Sequence, residues 1–299
     1  MGIKTTFGIK DLENLSGVKA HTIRIWEKRY KFFEPFRTDT NLRLYSLHDL
    51  QKILTINILL SNGMKLSKIA QLNNNEIFEK VRELREDPHE SDAHYDQLKL
   101  SMIQFDQKLF NDTFNFLRDH HSLYDVFYNY IIPLFEEIGN LWVTQTITPA
   151  HENFVSTLVR QKLLCETEKA YENIDYALGR EVIVCFLPKD EIHELGLMYV
   201  HYELLRKGYH SIYLGQSVPI ENLVEICKVF ANVHFVSYFT VQPIQDEVKD
   251  YMKDLIEEVL EPYKSNISIL GRMVEFIDCE VLPERVSTFS RATDFVEAM

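Results

Sequence analysis

The sequence predicts a multidomain protein, with a winged helix-turn-helix over residues 1–75, a central helical bundle over 76–175 and a doubly wound α/β domain over 176–299. Apolar residues first recur at helical spacing, and later form short runs that alternate with helices. The net charge also differs between the predicted N-terminal domain and the rest of the chain. Residues 1–75 carry +6 of a total of −13, so the remainder carries −19. A basic head on an acidic body is typical of a protein that presents one end to DNA phosphates.

The two helices of the head follow from apolar spacing and one turn. Apolar residues recur every third position over 9–15, which predicts a short helix. Residues 16–18 supply a turn around Gly17, because glycine is free to adopt positive φ. Residues 20–30 predict a second helix with Ile23 and Trp26 facing inward. Together these elements predict a helix-turn-helix.

A hairpin and a third helix are predicted to follow. Pro35 ends the helical pattern, and residues 36–45 have the composition of a hairpin with its turn at 39–41. Ser46 is a candidate N-cap, with Asp49 three residues later, for a helix that continues to Leu60. A further short helix is predicted over 65–72.

The rest of the chain is predicted from composition and from the change of period. Residues 76–175 are rich in helix formers and predict a bundle of about four helices, with a candidate linker at 87–90. The predicted order after that is strand 182–186, helix 191–206, strand 211–214, helix 221–230, strand 234–238, helix 244–261 and strand 267–270. This alternation is typical of a doubly wound sheet.

The candidate DNA contacts lie on the second helix and the hairpin. A helix-turn-helix places its second helix in the major groove, where Arg, Lys and small polar side chains reach base edges, while flanking residues contact phosphates. The candidates are His21, Thr22 and Arg24 near the start of the helix, Arg29 and Tyr30 at its end, and Arg37, Arg43 and Tyr45 on the hairpin. The alternative is a solvated amphipathic helix with ordinary surface charges.

The order of these residues resembles a known family. Thr-Ile-Arg-Ile-Trp-Glu-Lys-Arg-Tyr over 22–30, followed by Arg-Thr and Leu-Arg-Leu-Tyr-Ser, resembles the N-terminal domain of MerR-family transcription regulators. The form IRxWExRY is similar to that of members with cobalamin-binding domains. The resemblance implies double-stranded operator DNA as a partner and assembly as a homodimer or homotetramer, with RNA polymerase as a possible further partner.

A second motif that resembles a known family lies directly after the first predicted strand. Residues 190–196, Asp-Glu-Ile-His-Glu-Leu-Gly, resemble the ExHxxG motif of cobalamin-binding domains. The resemblance implies that His193 is the lower axial cobalt ligand, that Glu191 polarises it and that Gly196 makes room for the nucleotide tail of the cofactor. It further implies cofactor contacts from Ser237 and Gly271, although Arg272 stands where the family has a second glycine. The alternative is a histidine at a helix N-terminus with acidic neighbours.

The predicted bundle contains a third motif that resembles a known family. Trp142 and Glu152 have the spacing of the Trp-x9-Glu-His cap of light-sensing cobalamin regulators. The resemblance implies that Trp142 covers the upper corrin face and that Glu152 contacts an adenosyl ribose, with adenosylcobalamin or methylcobalamin as the cofactor. Asn153 replaces the histidine of that motif, which puts the photochemical step in doubt. The alternative for Trp142 is an ordinary core aromatic residue.

These patterns support three hypotheses about function. The first is a DNA-binding transcription regulator, not an enzyme and without catalytic residues, whose bundle and α/β region sense a cobalamin and control oligomerisation and operator binding. In the second, the cobalamin domain is degenerate, holds no cofactor and serves assembly or partner binding. The third is a corrinoid methyl-carrier, against which the basic head argues. Without an apolar membrane span or a signal peptide pattern, a cytoplasmic location away from the membrane is expected.

Overall fold

The computed structural model describes residues 6–61, 63–73, 76–77, 80, 91–144, 146–174, 181–277 and 282–299. The chain divides into two compact units, Met1–Leu158 and Val159–Met299. The predicted linker at 87–90 lies outside the described residues, as do residues 75, 175 and 176 at the predicted domain boundaries. Those boundaries therefore remain predictions.

The head has the predicted winged helix-turn-helix. Its elements are β1 (Thr6–Gly8), α1 (Ile9–Ser16), α2 (Ala20–Tyr30), β2 (Phe36–Arg37), β3 (Arg43–Ser46), α3 (Leu47–Ser61) and α4 (Leu66–Ile69). The strands form an antiparallel sheet in the order β1-β3-β2. The sequence gives no pattern for β1, because three residues are too few for a period. The helix predicted over 65–72 is only one turn long.

Local chemistry explains where the helices of the head begin and end. Gly17 ends α1 in the left-handed conformation at φ 70°, and its amide donates to Glu13 O. Ser46 caps α3 as predicted: its Oγ accepts from Asp49 N at 3.2 Å, and its own amide donates to Asp49 Oδ2 at 2.8 Å.

The central segment is the predicted bundle of helices. They are α5 (Ser91–Gln104), α6 (Gln107–His120), α7 (Leu123–Val126), α8 (Ile132–Val143) and α9 (Pro149–Ala170), with α7 and α8 joined through a π-helical turn at Phe127–Ile131. Asp106 caps α6 by accepting from Leu109 N at 2.9 Å. The boundary between the two units falls within α9. None of the helices that the structure describes is both long and apolar enough to span a membrane.

The second unit contains the predicted doubly wound sheet. Its elements after α9 are β4 (Val182–Pro188), α10 (Leu195–Arg206), β5 (Ser211–Val218), α11 (Ile220–Val229), β6 (Val233–Tyr238), α12 (Val248–Leu255), α13 (Glu261–Tyr263), β7 (Asn266–Leu270), β8 (Val286–Phe289) and α14 (Ala292–Ala298). The strands are parallel in the order β5-β4-β6-β7-β8. The chain leaves β4 toward one edge and returns through β6 toward the other, so the topological switch point lies between these two strands.

Helices cover both faces of this sheet. Alternate residues of β4 pack on opposite sides: Val184 contributes to the core beneath α11 and α12, and Cys185 to the core beneath α10 and α14. Both faces are therefore apolar, which is why the strands appear in the sequence as continuous apolar runs.

Several predicted boundaries in this unit were wrong. α10 begins at Leu195 and not at Glu191, because residues 189–194 form a loop held by hydrogen bonds to neighbouring strand ends. α12 begins at Val248 and not at 244, after a turn in which the amides of Glu247 and Val248 donate to Ile244 O. β5 continues to Val218, and β8 and α14 were not predicted from the sequence.

Candidate functional site

The exposed face of α2 is the first candidate site. Ile23 and Trp26 are buried as predicted, while the residues at spacings of three and four on the other side are exposed. These exposed residues are His21, Arg24, Ile25, Lys28 and Arg29. The predicted contacts His21, Arg24 and Arg29 thus share one face, and Thr22 and Tyr30 are partly exposed beside it. Ile25 is 51% exposed and lies on the same face, but it was not among the predicted contacts. Its position next to Arg24 in the helical period could have indicated it.

Glu27 connects α2 to the hairpin wing. Both of its carboxylate oxygens accept from Arg43 Nε at 3.1 Å, and Oε2 also accepts from the Tyr45 hydroxyl at 3.0 Å. A charge-assisted contact of this kind is stronger than a neutral hydrogen bond and fixes orientation. Glu27 therefore sets the position of the wing relative to the recognition helix. This role of Glu27 was not predicted from the sequence, because the register that brings β3 next to α2 is not a local property.

The structure corrects one of the predicted wing contacts. Tyr45 has no exposed surface and packs edge-on against Phe33, so its predicted contact with DNA is wrong for this conformation. The cause is the strand register, which points Tyr45 into the head. Arg37 is exposed at the wing, where it donates to Asn41 Oδ1 at 2.5 Å, and Arg43 is about one third exposed.

Replacing Glu27 with glutamine is expected to loosen the wing. The amide cannot provide the ionic contact to Arg43, and it presents an N–H₂ group toward donors. We expect the free energy of unfolding of the head to fall by about 2 kcal/mol, and operator affinity to fall on the order of tenfold because the wing phosphate contacts lose their register. Chemical denaturation and DNA titration measure the two effects.

Glu34→Gln is the matched control, since Glu34 is exposed and its replacement changes the charge of the head by the same amount. Equal operator affinity for Glu27→Gln and Glu34→Gln would show that Glu27 does not position the wing.

The second candidate site lies at the carboxyl end of the parallel sheet. The loop that follows β4 carries Glu191 and His193, and the loop that follows β6 carries Val241 and Gln242. Glu191 Oε2 accepts from the amides of Val241 at 2.6 Å and Gln242 at 2.8 Å, so it joins the two loops across the switch point. Crevices of open α/β sheets that bind ligands lie at this place.

Glu191 is a buried, fully engaged carboxylate. Its Oε1 accepts from the amides of Ile192 and His193 at 2.9 Å each, and from His193 Nδ1 at 2.6 Å. Burial acts to raise the pKa of Glu191, but the hydrogen bonds from His193 and from the loop amides outweigh burial and lower this pKa to about 2. Glu191 is therefore an anion over the physiological range.

The carboxylate of Glu191 determines which nitrogen of His193 carries the proton. Because Nδ1 faces Glu191 Oε1, the neutral ring has its proton on Nδ1 and its lone pair on Nε2, the form that ligates metals. The His193 side chain is 47% exposed. The two residues that the sequence predicted as a pair are thus in contact, in the arrangement of a metal-ligating histidine with a supporting carboxylate.

Gly196 and Gly271 lie on either side of one ring that was not among the predicted residues, that of Tyr238, which follows Ser237 in the chain. A Cβ at Gly196 would stand 3.0 Å from Tyr238 Cε2, and a Cβ at Gly271 would stand 2.9 Å from Tyr238 Cδ1. The ring of Tyr238 therefore fills the space that both glycines leave. Ser237 is fully buried, and its hydroxyl donates to Phe186 O at 3.0 Å.

The predicted cap residues belong to the first unit. Trp142 on α8 is 54% exposed, which contradicts the alternative that it is an ordinary core aromatic residue. Glu152 on α9 is partly exposed, and Asn153 next to it is exposed. His151 is buried and accepts from the Thr148 amide through Nδ1 at 3.2 Å.

Comparison with known proteins identifies two families along the chain. Residues 7–76 match the family described as MerR HTH family regulatory protein, and residues 95–164 match the family described as B12 binding domain. The HTH-type transcriptional repressor CarH of Myxococcus xanthus is 30% identical over 227 residues, which is 73% of this chain and 73% of that protein. The HTH-type transcriptional repressor CarA of the same organism is 24% identical, over 74% of this chain and 72% of that protein.

A solved structure supports the same conclusion at the level of fold. The monomethylamine corrinoid protein of Methanosarcina barkeri superimposes with a TM-score of 0.52 at 18% identity, over 76% of this chain and 100% of that one. The fold and the family matches define a DNA-binding transcription regulator with a helix-turn-helix head and a B12 binding domain. The chain belongs to the MerR-type regulators with a B12-binding domain, the family that includes CarH and CarA.

Proposed function

We propose that this regulator takes up a corrinoid of the cobalamin class at His193, and that uptake changes its self-association and hence its affinity for operator DNA. The observation that carries the proposal is the contact between Glu191 Oε1 and His193 Nδ1 at the switch point of the sheet. This contact prepares Nε2 as a ligand before any cofactor arrives. A ligand that binds one assembly state more tightly shifts the equilibrium toward that state.

The residues fit the cobalt side of such a cofactor. A bound cobalamin would supply a cobalt ion, for which a neutral imidazole nitrogen such as Nε2 of His193 is a suitable ligand. Glu191 would hold His193 in the ligating tautomer, and the loop amides of Val241 and Gln242 hold Glu191. The nucleotide side fits less well, because the ring of Tyr238 fills the space beside Gly196 and Gly271.

Two further cofactor contacts are proposed on the bundle. Trp142 is exposed and supports a contact with a planar ligand, and Glu152 is partly exposed and supports a contact with an adenosyl ribose. Adenosylcobalamin is therefore the preferred form in this proposal, with methylcobalamin second. Asn153 is a poor cobalt ligand, so a light-driven capture of cobalt at that position is not part of the proposal.

The DNA contacts are assigned by exposure. His21, Thr22 and Arg24 would face base edges, since they lie at the start of α2. Arg29, Tyr30, Arg37 and Arg43 would contact phosphates, and Tyr45 would support the wing from within the head. We propose a symmetric homodimer or homotetramer on paired half-sites in the cytoplasm, placed on a promoter where it competes or cooperates with RNA polymerase.

Tyr238 favours a second candidate function. If the filled crevice excludes every corrinoid, the α/β domain serves assembly or partner binding and the head binds DNA without a cofactor signal. A corrinoid methyl-carrier is disfavoured by the head, because a carrier has no use for an exposed face of basic residues on α2.

The experiment compares operator binding and oligomeric state with and without corrinoid. The purified protein is mixed with adenosylcobalamin or methylcobalamin in the dark, and the complex is separated from unbound corrinoid by gel filtration. We expect co-elution of corrinoid, a change in assembly size and a change in DNA affinity of about 5- to 150-fold. Co-elution without any effect on DNA affinity contradicts sensing, and DNA binding without uptake of either cobalamin or of cobinamide supports the second candidate.

A further inference from the structure

The ring of Tyr238 occupies a space that two glycines create. Gly196 is the second residue of α10, and Gly271 follows β7 with φ 105° and ψ −178°, a conformation that is almost restricted to glycine. A Cβ at either position would contact the tyrosine ring within 3.0 Å. The ring of Tyr238 is therefore closely packed between two elements.

The strand end that carries Tyr238 is closed as well. Ser237 and Phe239, which flank Tyr238 in the chain and face the other side of the sheet, have no exposed surface. The Ser237 hydroxyl is already bonded to Phe186 O, and the Phe239 carbonyl accepts from Met273 N at 3.1 Å. At the rim, the Arg272 guanidinium lies 3.5 Å from Thr240 O. A large group could enter only if the tyrosine ring left its place.

The chemistry of corrinoids makes this closure selective. Cobalamin carries a nucleotide on its lower face, and a protein histidine that binds cobalt from below displaces the nucleotide base. The displaced nucleotide then needs space on the side of the histidine. Because Tyr238 fills the space next to the His193 loop, the nucleotide could enter only by displacing the tyrosine ring, so cobalamin would bind more weakly here than a corrinoid without a nucleotide. A corrinoid without the lower nucleotide, such as cobinamide, does not need that space.

We propose that Tyr238 sets the ligand class of this regulator, and makes the site select corrinoids that lack the lower nucleotide over cobalamin. This inference rests on the proposed role of His193 as the cobalt ligand. The role of His193 determines whether a corrinoid binds, whereas Tyr238 determines which corrinoid binds.

The test is a spectrophotometric titration of the full-length protein with aquacyanocobinamide and with hydroxocobalamin, and of the Tyr238→Ala and Tyr238→Phe variants. Cobalamin must release its own nucleotide base from cobalt before His193 can bind, and this cost weakens its binding in every variant. The diagnostic quantity is therefore the change, between variants, in the ratio of the cobinamide affinity to the hydroxocobalamin affinity. We expect Tyr238→Ala to bind hydroxocobalamin at least tenfold more tightly than wild type while its cobinamide affinity changes less than threefold. Tyr238→Phe keeps the ring and is expected to keep the wild-type ratio.

Tyr263→Ala is the control for loss of a partly buried tyrosine elsewhere in the same unit, and far-UV circular dichroism establishes that each variant is folded. An unchanged affinity ratio in folded Tyr238→Ala overturns the inference but leaves the proposed function intact. Failure of wild type and both Tyr238 variants to bind either corrinoid overturns the proposed function and this inference with it.

Discussion

Arg24→Ala is expected to weaken operator binding by about 10- to 100-fold at matched salt, because one base-contacting arginine contributes about 1–3 kcal/mol to discrimination. Arg24 lies in the middle of the exposed face of α2, and no hydrogen bond or ion pair ties it to another described residue. Its loss therefore removes an interaction with DNA and leaves the packing of the head unchanged. Thermal unfolding of the head is expected to be the same as in wild type.

The measurement is a DNA titration over a salt series, with operator and with random DNA of equal length. Lys108→Ala removes the same charge from an exposed position on α6 and serves as the control. If Arg24 contacts bases, the loss is larger on operator than on random DNA. If it contacts phosphate, the loss is the same on both and the salt slope falls by about one. Wild-type affinity of Arg24→Ala for the operator at every salt concentration would remove α2 as the recognition helix.

Gly271→Ala is expected to destabilise the second unit by about 3 kcal/mol, of which the backbone conformation accounts for about 1–3 kcal/mol. An added Cβ would also stand 2.5 Å from Phe239 O, a backbone atom that cannot move without disturbing the end of β6. The effect follows from the close approach of β7 and the β6 end, and it does not require any ligand.

Urea denaturation measures the loss, and hydrogen exchange locates it in β6 and β7. Gly139→Ala is the matched control: Gly139 lies within α8, and a Cβ there would meet no atom within 4 Å. We expect that variant to be neutral or stabilised by up to about 1 kcal/mol, since alanine is the better helix former. Equal stability of the two variants would contradict the packing described around Gly271.

The sequence predicted best where structure depends on neighbours along the chain. The helix-turn-helix follows from the period of Ile23 and Trp26 and from the turn at Gly17, and the cap of α3 follows from Ser46 and Asp49. Each of these interactions spans four residues or fewer. The contact of Glu191 with His193 was predictable for the same reason, because the partners are two positions apart in the chain.

The sequence did not predict what depends on strands meeting in space. The inward position of Tyr45 comes from the register of β3 against β1 and β2, and its bond to Glu27 joins positions 18 residues apart. Tyr238 contacts glycines that follow two other strands, 42 residues before it and 33 after it in the chain. No local period indicates such a cluster. The late start of α10 has the same origin, since Glu191 is bonded to the loop that follows β6.

The second unit also shows how a family pattern and a particular chain can diverge. The motif residues of the resemblance are present, and the cobalt-side pair has the geometry that the resemblance implied. The nucleotide-side residues are present too, but Ser237 is bonded to the neighbouring strand and the glycines enclose an aromatic ring. Arg272 had already indicated this divergence in the sequence. Tyr238 gives it a physical cause.

The role of His193 as cobalt ligand is tested most directly by the absorption spectrum of the protein during titration with aquacyanocobinamide, for wild type and for His193→Ala. Wild type is expected to bind with a spectral shift that reports imidazole at cobalt, and His193→Ala is expected to lose the shift and at least tenfold in affinity. His120→Ala, an exposed histidine on α6, is the control and should behave as wild type. An identical spectrum and affinity for wild type and His193→Ala would contradict the central claim that His193 is the cobalt ligand of this regulator.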